Sequence, residues 1–537
     1  MNNDKLLDKD SFANGLAGAA NWTIRIVGSA IFLVLVWYAF RYTQYVNVGG
    51  QEIPVEVHDS MLRNLLFLVG GGGILFALYW LNDKISLKVQ KIISVCSLVV
   101  AMLWTAGVGV WWITAVDRIP EGDQAFVYGG ASYFLEGRYF FLEKGGYIDV
   151  YPHQLTLIFL VELLFLLVGT YNYFACQVLC VLVTVGVVFM GYSLINKLLG
   201  RPLMNVGYCI LISCCLPMFF YTWWVYGDVP SALFVLLAAD FLVSYEQKGN
   251  WKYLIGVVLS FLMAVLVRKN TLILLIAFGL TGLVYVIKKK DMKLLVAIIL
   301  AILCPTLATA GINKMYEIRS GYEISDGVPA YSFIAMGLQE NNGVYGWYTD
   351  YCKDVYYSVD CVSEYAAFLS KEDIAERLQY MADNPGYAIT FFKGKILSQW
   401  NMPLYESLFF ASKYMGGDMP EEGSLAHKIN NEYFTKVLTF CDGLQFVIYV
   451  GILCYFLFGV TKDSNTLNHM IAVGIIGGFF FHIIWEAMAR YVLPYYLMMY
   501  PLAVVGYWNL YRRAEILIRK FLNRGNKDNI IEFKQVA

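Results

Sequence analysis

Residues 92–114 of this chain read IISVCSLVVAMLWTAGVGVWWIT, and residues 117–126 that follow read DRIPEGDQAF. The first stretch has no charged side chain, and its length suits a helix that crosses a bilayer core of about 30 Å. The second stretch places Asp117 and Asp123 directly after that helix. A cluster of acids just outside an apolar span is where chemistry can meet a membrane, and the remaining sequence is interpreted around it.

The composition predicts a membrane protein. Of the 537 residues, 58% are hydrophobic and only 15% are charged, and the mean hydropathy is +0.55. A backbone in lipid must satisfy its own hydrogen bonds, so spans are expected to be helices. We therefore predict an all-α polytopic fold with about twelve transmembrane helices, joined by outer juxtamembrane helices and one long outer loop. The apolar runs are 24–42, 62–82, 92–114, 173–196, 204–224, 229–245, 253–268, 271–287, 292–313, 443–461, 468–486 and 491–511.

Basic residues predict the orientation, because cytoplasmic loops are enriched in lysine and arginine. They fall near 84–91, 197–201, 248–252, 288–293 and 462, and in the tail after 511. The acidic loop 115–151 and the long loop 316–442 are then outside the cell membrane, and both termini are cytoplasmic. Residues 153–168 are apolar enough to cross, but a crossing there would move every later basic loop outside. We predict that this segment is juxtamembrane or re-entrant.

These boundaries divide the chain into five parts. Residues 1–91 hold a cytoplasmic segment and two spans, 92–315 a membrane core with the loop 115–151, 316–442 an outer block, 443–511 the last spans, and 512–537 a basic tail. Within the outer block, Ser370 is predicted to cap a helix that stops before Asn384-Pro385, and residues 386–400 form an amphipathic stretch. Cys352 and Cys361 lie in the same polar block, where a disulfide and two free thiols are both open.

Asp123 is the first candidate for chemistry, because it opens an amphipathic stretch at the membrane edge. Aspartate is also a favoured helix cap, so a purely structural role is the alternative. Asp117 is a second candidate, and the alternative there is a simple ion pair with Arg118.

Two cations follow each other in the tight outer turn Arg268-Lys269-Asn270. Charges at such a place are costly without an anionic partner. A phosphate is one such partner, and the planar guanidinium of arginine suits it; lipid headgroups are the alternative. Arg490-Tyr491 begins the last span and is a similar candidate, with a membrane-edge anchor as its alternative. Asp228 opens another span and is either a ligand-binding residue or a cap.

Other common site types are not indicated. There is no glycine-rich phosphate loop and no Cys-x-x-Cys pair, and the 5 histidines lack metal-ligand spacing. ATP-driven work, a metal or other cofactor, and a nucleic-acid partner are therefore not expected.

The order of these features resembles a known family. Asp123-Gln124 after a span, an amphipathic stretch that ends at Glu136-Gly137, and Tyr151-Pro152-His153-Gln154 before the apolar run 155–168 are similar to the first outer loop of GT-C glycosyltransferases. The similarity is to the protein O-mannosyltransferase and lipid A aminoarabinose transferase group. The segments 225–230, 268–270 and 489–494 resemble bacterial members of that superfamily. Gln124 departs from the family's glutamate, and the two spans before residue 92 look additional.

The resemblance implies an inverting transfer of a sugar from a polyprenyl-phosphate donor to a cell-envelope acceptor, which is a glycan, a lipid or a protein. It places the site on the outer face of a multi-pass plasma-membrane enzyme. The histidine and carboxylate spacing implies no metal requirement. Asp123 would be the catalytic base, supported by Asp117. The cations Arg268, Lys269 and Arg490 would bind the donor phosphate, and the remaining substrate-binding candidates would be Gln124, Tyr151, His153, Asp228, Asn270 and Tyr491.

Two functions of other classes stay open. About twelve spans also suit a transporter or flippase of lipid-linked sugars, although charged residues inside the spans are few. A noncatalytic scaffold for envelope assembly is the third possibility.

Overall fold

The computed structural model describes residues 2–47, 52–116, 120–341, 343–413 and 420–523. Asp117 and Arg118 lie outside these ranges, so the prediction for Asp117 stays a prediction. In the described residues the chain is helical almost throughout. The helices of the first half are α1 (Asn2–Arg41), α2 (Met61–Leu81), α3 (Leu87–Val116), α4 (Asp123–Leu135), α5 (Tyr147–Val150), α6 (Leu155–Val168), α7 (Tyr173–Leu199), α8 (Pro202–Ser213), α9 (Leu216–Phe220), α10 (Asp228–Lys248) and α11 (Lys252–Val267).

The described residues of the second half are also mostly helical. Its helices are α12 (Leu272–Lys289), α13 (Met292–Ser320), α14 (Ala330–Gly337), α15 (Tyr351–Ser358), α16 (Ser363–Asp383), α17 (Pro385–Trp400), α18 (Ser407–Lys413), α19 (Leu425–Asn430), α20 (Phe434–Cys454), α21 (Met470–Ile484) and α22 (Leu493–Asn523). Two small antiparallel hairpins complete the fold, β1 (Tyr42–Val46) with β2 (Pro54–His58) and β3 (Glu340–Asn341) with β4 (Val344–Tyr345).

The all-α polytopic architecture is confirmed. Within the described ranges, nine helices are long and apolar enough to cross a bilayer, and eleven segments qualify if each of two bent helix pairs is one span. The predicted run 253–268 corresponds to α11, which has only 16 residues. The last run continues as α22 through Asn523, beyond the predicted boundary at 511. The number of twelve crossings stays a prediction.

One of the bent pairs contains the segment whose crossing the charge pattern disfavours. The helical stretches 140–150 and 152–168 meet at 103°. Helix α6 has 14 residues, about 21 Å at 1.5 Å per residue, which is shorter than a bilayer core. Its buried Glu162 accepts hydrogen bonds from Tyr316 Oη at 2.7 Å and Arg319 Nη1 at 3.0 Å, both on α13. These contacts hold α6 against α13, and Arg319 Nη2 also donates to Phe134 O on α4 at 3.1 Å.

The two spans before residue 92 are integral to the fold, although the sequence made them look additional. Helix α1 packs on α20 and α12, and α2 packs on α20 and α8. The hairpin between them joins the outer block, because Gln44 N donates to Asn401 O at 3.0 Å. Arg63 on α2 forms a salt bridge of 2.8 Å with the buried Asp442 on α20.

In the outer block, the predicted start of one helix is wrong and its predicted end is confirmed. Helix α16 begins at Ser363, so Ser370 is not its cap but a buried mid-helix residue whose Oγ lies 2.7 Å from Ser332 Oγ. The helix starts earlier because buried Ala366 already belongs to its packed face. It ends at Asp383, before Asn384-Pro385, as predicted.

Cys352 and Cys361 of the outer block carry free thiols. Cys352 is buried, with its Sγ 3.9 Å from Met336 Sδ. Cys361 follows helix α15 with a φ of 58°. Neither is part of a disulfide, so the free-thiol alternative is the one observed.

The outer block sits on the segment between α21 and α22. Ala487 N donates a hydrogen bond of 2.7 Å to Gly346 O. The rings of Phe333 and Trp485 stack with centroids 5.1 Å apart. Gly337 is so close to this segment that a Cβ there would lie 2.6 Å from Ile484 O. The block therefore fixes the backbone that leads into Arg490.

Candidate functional site

Asp123 is the first residue of α4 and follows Gly122, whose φ is 60°. A left-handed residue at this point favours glycine, and the turn sets the direction in which the helix begins. The cap position belongs to Gly122, so the Asp123 side chain is not the helix cap. Its carboxylate is 44% exposed, and Oδ2 lies 3.3 Å from Arg490 Nη2.

Arg490 is held in place by aromatic rings. It lies in a short 3₁₀ turn, Ala489–Val492, and its side chain is only 4% exposed. The guanidinium is about 5 Å from the ring centroids of Trp224, Tyr226 and Phe410, a geometry that stabilises a cation. Its Nε has no hydrogen-bond partner among the described residues. The cation is therefore fixed but has donor capacity left.

Arg268 and Asp228 form a second charged pair. They bind each other at the end of α11 and the start of α10, and both side chains are nearly buried. The Arg268 guanidinium also lies 5.3 Å from the Tyr491 ring centroid. Lys269 is exposed and forms no salt bridge with the residues that the structure describes. The turn thus combines one neutralised cation with one available cation.

Two adjoining cavities connect these groups. The first, of about 610 Å³, is lined by Asp123 and Arg490, and the second, of about 350 Å³, is lined by Arg268, Lys269 and Asn270. Both cavities share a wall made of His153, Gln154, Tyr226, Phe333, Glu486, Arg490 and Tyr491. The carboxylate and the cations therefore line two cavities that meet at one shared wall.

The first cavity has a wall of tyrosines that comes partly from the outer block. Tyr147 and Tyr151 stand on one side, and Tyr348 and Tyr357 on the other. Burial raises the pKa of the Tyr151 and Tyr348 phenols well above their usual value. Both phenols therefore keep their proton at neutral pH, and Tyr348 Oη donates to Asp350 Oδ1 at 3.0 Å.

Glu486 is the titratable group at the centre of the shared wall. It is buried, and Tyr491 Oη donates to its Oε1 at 3.0 Å. Burial raises the pKa of Glu486 to about 7. Lys395 lies behind this segment, fully buried, and donates to Gly337 O. Burial lowers the pKa of Lys395 to about 7. The charge of this region therefore changes near neutral pH.

Most of the predicted site residues line the cavities. These are Asp123, Tyr151, His153, Arg268, Lys269, Asn270, Arg490 and Tyr491. Gln124 lies behind the wall instead, because its Oε1 accepts from Tyr173 Oη at 2.8 Å and from Val225 N at 2.9 Å. Asp228 also lies behind the wall, where it holds Arg268.

Sequence reasoning missed several lining residues. Glu486 stands in the turn between α21 and α22, and an acidic residue between two apolar runs could have indicated a site residue. Tyr348, Asp350 and Lys353 come from a polar segment with no recognisable pattern. Only the fold brings that segment over Asp123.

Among the described residues, no three His, Cys, Asp or Glu side chains are arranged to hold a metal ion. No family model matches the chain, and no curated protein matches it either.

Proposed function

We propose that the chain is a membrane glycosyltransferase of the GT-C type. It would move a sugar from a polyprenyl-phosphate donor to an acceptor of the cell envelope, on the extracytoplasmic face of the plasma membrane. The observation that carries the proposal is the half-exposed carboxylate of Asp123, 3.3 Å from the buried Arg490 guanidinium at the junction of two cavities. Inverting transfer needs a base on one side of the anomeric carbon and cations beside the leaving phosphate on the other, and Arg490 lies where the cavity of Asp123 meets the cavity of Arg268 and Lys269.

Asp123 would act on the acceptor. Its carboxylate takes the proton from an acceptor hydroxyl, and the hydroxyl oxygen attacks the anomeric carbon from the side opposite the phosphate. The C–O bond to the phosphate breaks, and the electron pair leaves with the phosphate oxygen. The exposed side of the carboxylate, away from Arg490, faces the larger cavity and is available to an acceptor.

The donor phosphate would lie in the second cavity. Arg490 and Lys269 supply positive charge to its walls, and Arg268 adds a guanidinium already oriented by Asp228. Fixed cations stabilise a leaving phosphate without reorganisation in the transition state. The apolar residues Leu272 and Ile273 at the same cavity suit the first carbons of a lipid chain.

The acceptor would enter between residues 122–151 and the outer block. Phe126, Tyr147, Tyr348 and Tyr357 provide rings on that path, and Asp350 and Lys353 provide polar groups. Rings with a polar edge suit a hydroxyl-rich molecule.

The direct test is a transfer assay with the purified chain in detergent, where transport cannot be scored. A labelled polyprenyl-phosphate sugar and an envelope extract are supplied, and release of polyprenyl phosphate is followed. Wild type should consume the donor, and Asp123→Asn should not. Asp360→Asn is the matched control, since Asp360 is an exposed acid paired with Lys144. A donor that binds but is never consumed would favour the transporter.

A further inference from the structure

A third cavity lies at the opposite end of the helical bundle. It encloses about 430 Å³ between the end of α7, the loop before α21 and the later turns of α22. Helix α7 begins beside Gln124 and α22 begins beside Arg490, while this cavity meets α7 at Leu199 and α22 at Asn509. From Leu493 to Asn509 a helix rises about 24 Å, so the cavity is separate from the candidate site.

The described residues that line it include two arginines, Arg201 and Arg512, and no carboxylate. Arg201 lies over the ring of Trp508, with 5.2 Å to the centroid. Trp508 and Arg512 are four residues apart on α22 and share one face. Both arginines are exposed and form no salt bridge with a described residue. Two like charges are thus directed to one concave surface without a counter-charge.

Polar groups of the protein complete the cavity. The lining includes the amides of Asn465, Asn468 and Asn509 and the hydroxyl of Ser464. Asn468 Oδ1 is buried without a hydrogen-bond partner among the described residues. The two ends of an amide differ little in shape, so a turned Asn468 would present its NH₂ group to a ligand in the cavity.

Both ring nitrogens of His469, which also lines this cavity, already have hydrogen-bond partners. Its Nδ1 lies 2.6 Å from Tyr455 Oη, and its Nε2 lies 2.7 Å from Ser464 Oγ. Asn509 Nδ2 donates to Val505 O at 2.8 Å, so the available donors are the two guanidinium groups and the amides of Asn465 and Asn468. Such donors bind phosphate oxygens and would not bind a cation.

We propose that this basic cavity, defined by Arg201 and Arg512, binds the phosphate group of an anionic ligand at the bundle end opposite Asp123. The same chemistry is offered by the headgroup of an anionic phospholipid and by a soluble phosphate compound. The inference does not depend on the proposed transfer reaction.

The test uses the purified full chain and three probes. These are detergent micelles with phosphatidylglycerol, micelles with phosphatidylcholine, and inorganic phosphate without added lipid. Binding is followed by native mass spectrometry for lipids and by calorimetry for phosphate. Binding of phosphatidylglycerol alone identifies a lipid headgroup, and binding of inorganic phosphate identifies a soluble ligand; either result supports the proposal. No saturable binding of either probe overturns it.

Variants then locate the binding. Arg201→Ala and Arg512→Ala should each weaken it about tenfold, since each removes a charge-assisted contact. Arg513→Ala is the matched control, because Arg513 lies over Phe458 and not in the cavity. Equal weakening by Arg513→Ala would mean that only general surface charge acts, and the proposal would fail.

A further variant tests the cavity without removing an arginine. Asn465 accepts a hydrogen bond from Leu467 N at 3.1 Å, and aspartate caps equally well. Asn465→Asp should therefore fold normally, place a negative charge in the cavity and abolish binding. Unchanged binding in a folded Asn465→Asp protein would also overturn the proposal. Sugar transfer at the other end should stay normal in all four variants.

Discussion

The Arg490 guanidinium lies 3.3 Å from the Asp123 carboxylate, although 367 residues separate them in the chain. Arg490 is buried and Asp123 is half-exposed, so the pair has one fixed member and one accessible member. Arg490 also faces the second cavity together with Lys269. A single ion pair thus joins the place proposed for proton removal to the place proposed for the leaving phosphate.

Replacing Asp123 tests the proposed base. Asp123→Asn keeps the size of the side chain but removes the proton acceptor, so turnover should fall about 100-fold or more. Helix α4 should persist, because Gly122 and not Asp123 occupies the cap position. Initial rates at saturating donor measure the effect.

Measuring donor affinity distinguishes Asp123 as a catalytic base from Asp123 as a donor-binding residue. Since Asp123→Asn removes a negative charge beside Arg490, the dissociation constant of the donor should not rise. A well-folded variant with normal turnover would remove Asp123 as the base. If Asp117→Asn were then inactive, the base would be Asp117.

In the turn 268–270, replacing Lys269 affects only a charge, whereas replacing Arg268 also breaks an ion pair. Lys269→Ala removes an exposed charge and should weaken donor binding about tenfold with little change in stability. Arg268→Ala also leaves Asp228 buried without its partner, which costs about 3–5 kcal/mol. Arg268→Lys should retain part of both functions.

Donor binding and thermal unfolding should be measured together for these variants. Lys252→Ala is the matched control, because Lys252 is an exposed lysine at the other end of α11. Unchanged donor affinity in Lys269→Ala would indicate that this cation meets lipid headgroups instead.

The pKa of about 7 for Glu486 predicts how donor binding depends on pH. As pH rises through 7 this carboxyl becomes negative, and Lys395, whose pKa is also about 7, becomes neutral. Both changes lower the positive charge near the donor, so affinity for an anionic donor should fall between pH 6 and pH 8. Glu486→Gln should lose affinity less steeply over this range, because only Lys395 then changes its charge. An identical profile in the variant would exclude Glu486 as the titrating group.

The close approach of Gly337 to the segment before Arg490 predicts a remote effect on transfer. In Gly337→Ala the new methyl group meets the backbone at Ile484 and Trp485, so the segment must shift. Turnover should fall at least tenfold through misplacement of Arg490, while the fold persists. Gly386→Ala is the control, because nothing lies within 4 Å of a Cβ at Gly386. Equal activity of the two variants would show that the contact does not position the site.

Labelling tests the predicted orientation. The buried Ser370 is unsuitable, whereas Lys371 and Asn341 are exposed on the outer block. Lys371→Cys and Asn341→Cys should react with an impermeant thiol reagent from outside, and Lys289→Cys should not. Cys361, a partly exposed free thiol of the same outer block, must first be replaced. Labelling of Lys289→Cys from outside would reverse the orientation.

The membrane architecture was predictable because length and hydropathy alone define a span, as for residues 92–114. Asp123, Arg268 and Arg490 were predictable as charged residues at the ends of apolar runs. Their contacts were not, since only tertiary packing decides that Arg490 meets Asp123 while Arg268 meets Asp228.

Gln124 shows the opposite limit of sequence reasoning. It stands next to Asp123, yet consecutive residues on a helix point in directions about 100° apart. One side chain therefore enters the cavity, and the other binds Tyr173 behind it. Adjacent positions in the sequence therefore did not predict that both side chains line the cavity.

The salt bridge between Arg63 and Asp442 has a consequence for biogenesis. Arg63 enters the membrane early in synthesis, and its partner on α20 is made 379 residues later. Until then only Asp59, 2.8 Å away in the finished fold, is at hand to neutralise it. The second ion pair of Arg63 can therefore form only after α20 has been made. Truncated chains that end before residue 434 lack Asp442, and we expect them to be degraded faster than the full chain.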